Sequence, residues 1–380
     1  MGGQSSKKAK ILFVLEYYPP HMGGVEYLFE NLTQMLARRG HEITVLTRRL
    51  KGTKKDEVIN GVHIIRIKTF NRYLYTFLAF FKAVIIAGKF DIIHTTTFNA
   101  AFPARLAAKF RKKPCVITVH EVWVNKWHSL TEFGPVSASI HNFLEKMIYL
   151  LSFDKYITVS HSSLTQLEAN GIPVEKITMI YNGFDINSYD PEKFDGLKIR
   201  KQYEVENAFV IFSWGRPGVS KGHEYLLRAV PIILEKIPHA KLLLMLSNKG
   251  TYEKRYLLLT ELINKLDISE NVILIEPVPY GELWYRIKLA DCVVVPSLTE
   301  GFGYTVVEAC VMDTPVVASD TASIPEVISN KYVLVEPGNP GAIAEGVLKV
   351  SQKEYQTSPL KKFPWEENIT KHEELYRTLA

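Results

Sequence analysis

Along the chain, short β-branched and aliphatic runs alternate with stretches whose apolar positions recur every three to four residues. Parallel strands covered by helices read this way. In the first half the strand pattern falls on ILFVL (11–15), EITVLT (42–47), VHIIRI (62–67), DIIHT (91–95), CVITVH (115–120) and KYITVS (155–160). In the second half it falls on FVIFSW (209–214), KLLLML (241–246), NVILIE (271–276), DCVVVP (291–296), PVVAS (315–319) and YVLVE (332–336). Both halves open on a strand, a glycine-containing loop, an amphipathic helix and a second strand. The expectation is an α/β chain of two Rossmann-like doubly wound domains, with ligands held in a cleft at the carboxyl ends of the strands.

Residues 1–190 form the first expected domain, 191–363 the second, and 364–380 a terminal helix returning toward the first. The stretch 181–207, rich in Asn, Asp, Gly and charge, marks the connection. In the terminal helix Trp365, Ile369 and Leu375 are the apolar anchors.

Composition agrees with two domains, since 380 residues with 47% hydrophobic content exceed the size at which a single core stops growing. Cys115, Cys292 and Cys310 lie far apart in apolar runs without metal-ligand spacing, the pattern of reduced core thiols in a cytosolic protein. The start MGGQSSKKAK has no apolar segment of the kind secretory signals carry. It does match the N-myristoylation pattern, with Gly2 after the initiator and Ser6 in the required place; a plain polar tail is the other reading.

Charge is unevenly placed. Residues 1–113 carry 20 Lys and Arg against 7 Asp and Glu, whereas residues 114–380 carry 26 against 33. The basic half should face something anionic. Nucleic acid is disfavoured because no zinc finger, recognition helix or aromatic RNA-binding pattern accompanies the charge. The run RYLYTFLAFFKAVIIAGKF (72–90) is apolar on nearly every face but short for a span, and Lys82 interrupts it. It predicts either a helix packed within the domain or one lying in a membrane interface.

The candidate chemistry concentrates in PSLTEGFGYTVVEAC (296–310). A strand ends, Gly301, Phe302 and Gly303 form a loop that lets backbone approach a ligand, and a helix begins. Such a turn offers unoccupied N–H groups to a phosphate. Glu300 stands at the loop mouth and Glu308 roughly two helical turns inside. A phosphate repels both carboxylates, so their use is to accept hydrogen bonds from hydroxyl groups on either side of it. In WGRPGVSKG (214–222), Arg216 and Lys221 lie five apart between Gly215 and Gly222 and can close on a diphosphate. A leaving diphosphate gains charge as its bond breaks, so these cations favour the transition state. The chain has no Asp-x-Asp of the kind that commonly carries a bridging divalent ion, and neither metal nor cofactor is expected.

Two acidic residues flanking GFG, a small-residue helix and the strand in TPVVASD together resemble the signature of family 4 glycosyltransferases, which have the GT-B fold. WGRPGVSKG is similar to that family's Gly-Arg-x-x-x-x-Lys-Gly, and the resemblance covers nearly the whole chain. It implies a retaining transferase that uses a nucleotide diphosphate sugar as substrate. Glu300 would contact the transferred sugar and Glu308 the ribose. The loop PPHMGGVE (19–26) would lie over donor phosphate and acceptor through Gly23 and Gly24; it is not the G-x-G-x-x-G of a dehydrogenase. His120, ending the strand in VITVHE, resembles a histidine that touches the sugar near the reacting carbon, while Asn182 in YNGFD resembles the family's Asn-Gly-x-Asp. Two tryptophans in the following VWVNKWHSL depart from the usual pattern.

Adding the basic charge and the acylation pattern to the apolar run gives a lipid-linked acceptor at the cytosolic face of an anionic membrane. A soluble sugar or glycoside acceptor, a GT-B-shaped nucleotide-sugar epimerase, and outside enzymes a two-domain sugar-binding protein stand as alternatives.

Overall fold

A computed structural model describes residues 8–186 and 189–379. The acylation pattern at Gly2 therefore lies outside the described residues. The chain divides into two compact units, each built on one sheet. The first comprises Met1–Trp127, Gly134–Phe184 and Phe363–Ala380, and the second His128–Phe133 and Asp185–Lys362.

The first unit carries strands β1 (Lys10–Val14), β2 (Glu42–Arg48), β3 (Asp56–Ile59), β4 (Val62–Ile67), β5 (Ile92–Thr96), β6 (Cys115–Val119), β7 (Lys155–Thr158) and β8 (Ile177–Met179). Their order is β3-β4-β2-β1-β5-β6-β7-β8, and all pairs except β3–β4 are parallel. Helices α1 (Gly24–Arg38), α2 (Arg72–Ala87), α3 (Ala101–Arg111), α4 (Pro135–Leu150) and α5 (His161–Ala169) follow in chain order. Local chemistry starts several of them. Asn71 accepts the Leu74 N–H at 2.8 Å to cap α2, and Ser160, where the alternating pattern had extended a strand, instead caps α5 by accepting from Ser163 at 3.1 Å.

The second unit carries β9 (Phe209–Gly215), β10 (Ala240–Leu246), β11 (Val272–Ile275), β12 (Cys292–Val295), β13 (Val316–Ser319), β14 (Asn330–Val335) and β15 (Gln356–Ser358) in the order β11-β10-β9-β12-β13-β14-β15. Its helices are α6 (Leu197–Gln202), α7 (His223–Lys236), α8 (Glu253–Lys265), α9 (Tyr280–Lys288), α10 (Tyr304–Val311), α11 (Ile324–Val327) and α12 (Pro340–Ser351). The last helix, α13 (Trp365–Arg377), belongs to the first unit.

All twelve strands expected from the hydrophobic pattern are present, and β3, β8 and β15 are additions. The addition of β3 has a visible cause. Asn60 and Gly61 both adopt positive φ, 50° and 82°, and Ile59 pairs with Val62, so a two-residue hairpin folds an exposed, antiparallel edge strand onto β4. The Asn-Gly pair carries that signal in sequence; the strand itself is too short and polar to show one.

Two cores sandwich the first sheet. One gathers α1 and α13 with Ile11, Phe13, Val45 and Ile64; the other gathers α2, α3 and α4 with Leu12, Val14, Ile93 and Ile117. The anchors Trp365, Ile369 and Leu375 are all buried, as is Tyr376. The Tyr376 hydroxyl lies 2.6 Å from His94 Nδ1, and Glu373 accepts from Arg39 at 2.5 Å and contacts His41 Nε2 at 3.0 Å. Helix α2 buries only a narrow stripe of Tyr75, Ala79, Ala83 and Ala87. Its opposite side exposes Tyr73, Phe77, Phe81 and Ile85, each at least half accessible.

In both sheets the chain reverses direction of travel beside the first strand: β1 lies between β2 and β5, and β9 between β10 and β12. Loops leaving two such neighbours diverge and open a crevice at the carboxyl edge, where doubly wound proteins bind ligands.

Candidate active site

In the second unit the crevice is bounded by the loops after β9 and β12. They are locked together, because the Leu298 N–H donates to the Ser220 carbonyl at 2.8 Å. Gly222 stands at the start of α7 with φ 65°, and a Cβ there would come within 2.0 Å of the Pro296 oxygen. Only glycine permits both that conformation and that approach.

This packing brings Lys221 and Glu300 together. Lys221 Nζ is 2.5 Å from Glu300 Oε1, which also accepts from Ser297 Oγ at 2.8 Å, and Ser323 Oγ donates to the Glu300 carbonyl at 3.0 Å. Both charged side chains are largely buried. Gly301 and buried Phe302 carry the chain to Gly303, whose φ of 92° turns it into α10. Glu308 is the fifth residue of that helix, little more than one turn inside instead of two. It is buried and accepts from the Tyr280 hydroxyl at 2.9 Å. Burial raises its carboxyl to about 7, against hydrogen bonds from Tyr280 and Trp214 and the charge of Lys221, which all lower it.

Gly215 ends β9, and the exposed Arg216 follows; among the described residues no ion pair holds it. Behind this loop His223 is buried, and burial, then Lys221 and Arg255, push its imidazole down to about 3, so it is neutral. The loop thus presents one free guanidinium and one lysine already paired to a carboxylate. A bound anion can draw on both, while Glu300 keeps Lys221 in place.

Ser297, Ser323, Tyr280 and His223 are the members of this site that sequence reasoning missed. His223 directly follows Lys221-Gly222 and was open to discovery by proximity. Tyr280 comes from α9, a separate element, and no spacing rule links it to Glu308.

The first unit holds the remaining candidates. Gly23, extended at φ 176°, precedes α1, and Gly24 is its first residue. A Cβ on Gly23 would meet Glu26 Oε2 at 2.4 Å, so the glycine makes room for that carboxylate, whose Oε1 lies 3.1 Å from His21 Nδ1. His120 follows β6 with its ring edge-on to Phe29 at 6.0 Å. Its Nε2 is buried and has no hydrogen-bond partner among the described residues. Burial lowers the ring to about 4, partly opposed by Glu26, leaving a neutral imidazole able to exchange hydrogen bonds with a hydroxyl. Asn182 is buried with Oδ1 likewise unpartnered among the described residues. Its neighbour Gly183 has a plain packing duty, since a Cβ there would lie 2.2 Å from the Trp365 ring. The tryptophan loop is held by buried Glu145 of α4, which accepts from Trp123 N at 2.8 Å and Trp127 Nε1 at 2.7 Å and from Tyr149 Oη of its own helix at 3.0 Å.

Two doubly wound units, each with charged and polar loops at its switch point, define a class of enzymes, and family comparison names it. The chain matches Glycosyltransferase Family 4 over residues 22–188 and Glycosyl transferases group 1 over residues 196–363. It therefore belongs to the group 1, family 4 type of glycosyltransferases. It is similar to an uncharacterized glycosyltransferase of Methanocaldococcus jannaschii, 31% identical with 95% of this chain and 96% of that one aligned. A D-inositol 3-phosphate glycosyltransferase of Corynebacterium jeikeium is 27% identical over 94% of this chain and 92% of its own length. Among solved structures, Anabaena HepE in complex with UDP-glucose superposes with a TM-score of 0.75 at 21% identity, covering 98% of this chain and 100% of that one. The likeness bears out the GT-B fold expected from the sequence.

Proposed function

We propose that this glycosyltransferase moves a hexose-type sugar from a nucleotide diphosphate donor, with retention and without a metal ion, to a lipid-linked acceptor at the cytosolic membrane face. The observation that carries the donor half is the pairing of Lys221 with Glu300 at the mouth of α10, one turn from buried Glu308. Arg216, Lys221 and the start of α10 neutralise the departing diphosphate, the task a divalent ion performs elsewhere. Glu300 accepts from hydroxyls of the transferred sugar, and Glu308 from the ribose. His120 hydrogen-bonds near the reacting carbon, and Gly23 and Gly24 let backbone close on the phosphates. The family resemblance implies attack on the face the diphosphate leaves, with the diphosphate oxygen taking the acceptor's proton.

The acceptor half rests on the exposed stripe Tyr73, Phe77, Phe81 and Ile85 of α2, joined in the same unit by Val136, Ile140 and Phe143 of α4 and by the excess of Lys and Arg in residues 1–113. Exposed apolar side chains in a unit with an excess of basic residues suit an anionic bilayer surface. Among the described residues no helix is long and apolar enough to cross a membrane. A soluble polyol phosphate acceptor is the second reading, favoured by the name of the corynebacterial relative.

The test is incubation with UDP-, GDP- and ADP-hexoses and a membrane lipid extract in the presence of EDTA. Acceptor-dependent release of the nucleoside diphosphate, with sugar appearing in the lipid phase as the donor's anomer, is expected. Release without acceptor, or strict dependence on added metal, contradicts the reading.

A further inference from the structure

The switch point of the first unit, between β1 and β5, carries a polar cluster that the donor chemistry leaves unused. Glu16, two residues beyond β1, is 7% exposed. Its Oε2 accepts from Asn99 Nδ2, beyond β5, at 2.8 Å and from Arg72 at 2.9 Å. Arg48, at the end of β2, donates its backbone N–H to the Glu16 carbonyl at 3.2 Å and its guanidinium to Tyr17 Oη at 3.1 Å and the Phe70 carbonyl at 3.3 Å. The segment Thr69–Arg72 thus closes one side of the cluster and β1, β2 and β5 the other.

Four buried atoms of this cluster have no hydrogen-bond partner among the described residues: Glu16 Oε1, Arg48 Nε, Thr69 Oγ1 and Arg72 Nε. Buried polar groups are nearly always paired, so such a concentration points to a ligand. Three of the four can donate, and two of those sit on guanidinium groups, against one carboxylate oxygen that can only accept. A simple anion satisfies the donors but is repelled by Glu16, and a neutral polyol satisfies Glu16 but leaves the buried Nε atoms of Arg48 and Arg72 without a charged partner. A ligand with phosphate oxygens and a hydroxyl a few atoms away satisfies all four.

Resting on the transferase reading above, we propose that Arg48, Thr69 and Arg72, with Glu16, form an acceptor subsite that recognises a hydroxyl-bearing phosphate ester. The phosphate lies against the arginine forks and Thr69, and a hydroxyl of the same ligand donates to Glu16. Asn99 holds the Glu16 carboxylate in place. The ester belongs either to a free polyol phosphate or to a phospholipid headgroup.

The test is calorimetric titration of the full chain with sn-glycerol 3-phosphate and myo-inositol 1-phosphate, against glycerol, myo-inositol, inorganic phosphate and glucuronate. At least one phosphate ester should bind tenfold or more tightly than every control. Thr69→Val removes a hydroxyl with no hydrogen-bond partner among the described residues, so a structural role predicts no change, whereas the subsite predicts a several-fold loss. Arg72→Gln should lose tenfold or more, and Lys89→Gln, at an exposed position beyond the far end of α2, should bind as wild type. Phosphatidylcholine vesicles containing phosphatidylglycerol or phosphatidylinositol separate the sources. Thr69- and Arg72-dependent binding to soluble esters assigns a free acceptor, and the same dependence on vesicles alone assigns a headgroup. Absence of both, tighter glucuronate binding, or esters bound equally by Thr69→Val and Arg72→Gln overturns the subsite. Nucleotide-sugar binding is titrated in parallel: its presence without ester binding sinks the subsite alone, and ester binding without it sinks the donor reading alone.

Discussion

Glu300 and Glu308 are chemically identical, yet their surroundings differ. Glu300 is held by a lysine and a serine, while Glu308 is enclosed among Tyr280, Trp214 and apolar helix neighbours. Because burial raises the Glu308 carboxyl from 4.5 to about 7, the protonated form is substantial at neutral pH in the free protein. A ribose diol needs the carboxylate as acceptor, so donor affinity should rise several-fold between pH 6 and pH 8, and Glu308→Gln should bind weakly with that dependence gone. A flat pH profile in the wild type contradicts the role. Stability runs the other way. A folded-state value above the unfolded one means the folded protein holds the proton more tightly, so this group's contribution is fully present below about 4.5 and lost as pH rises through about 7. Thermal denaturation should therefore show Glu308→Gln gaining on wild type by on the order of 2 kcal/mol from pH 5 to pH 8.

Lys221 offers a second test at this scale. Replacing it with Ala removes a cation from the leaving group and leaves Glu300 buried beside Ser297 alone. Turnover should fall by about two to three orders of magnitude, the usual cost of losing one stabilising group at developing charge. Steady-state kinetics at saturating donor would show it, and an unchanged rate would exclude Lys221 from the chemistry.

Among elements, the junction of the β9 and β12 loops holds the Lys221–Glu300 pair. Gly222→Ala forces a Cβ into the Pro296 carbonyl at a positive-φ position, so urea denaturation should show a loss of roughly 3 kcal/mol with donor binding impaired. Helix α2 gives the converse case. Phe77→Asp with Phe81→Asp touches only exposed side chains and should leave the melting temperature within a degree or two while abolishing sedimentation with anionic vesicles. Retained sedimentation would count against the interfacial role. Much at this scale was legible in sequence. The twelve predicted strands followed from runs of five or six residues, most clearly where, as in β5, β6 and β12, a strand buried on both faces has no polar alternation to blur it. The Glu300–Glu308 loop was legible because its glycines and acids stand out from the packing pattern. Edge strands β8 and β15 were not, being three residues each and partly exposed. Neither were Tyr280 and Ser323, whose relation to Glu308 and Glu300 is created by sheet order, a long-range property that local periodicity does not carry. Within residues 72–90, Tyr75 and three alanines pack inward, while Tyr73, Phe77, Phe81 and Ile85 face out.

At the scale of the whole molecule, two units of one plan carry different chemistry at equivalent switch points. The second presents Arg216, Lys221 and Glu300 on the loops after β9 and β12 with Glu308 in α10; the first presents Glu16 and Asn99 beyond β1 and β5, Arg48 at the end of β2 and Arg72 at the start of α2. In the proposed reading the acceptor and the membrane belong to the unit that carries the basic charge and the exposed apolar side chains, and the donor to the other. The central claim is that residues of the second unit bind a nucleotide diphosphate sugar without a metal. It is tested most directly by titrating UDP-, GDP- and ADP-hexoses into wild type, Lys221→Ala and Glu308→Ala in EDTA. One donor should bind the wild type in the range of about 1 µM to 1 mM typical of enzyme substrates, and each variant should bind it at least tenfold more weakly. Equal binding by all three proteins, or binding to none until a divalent ion is restored, would contradict the account.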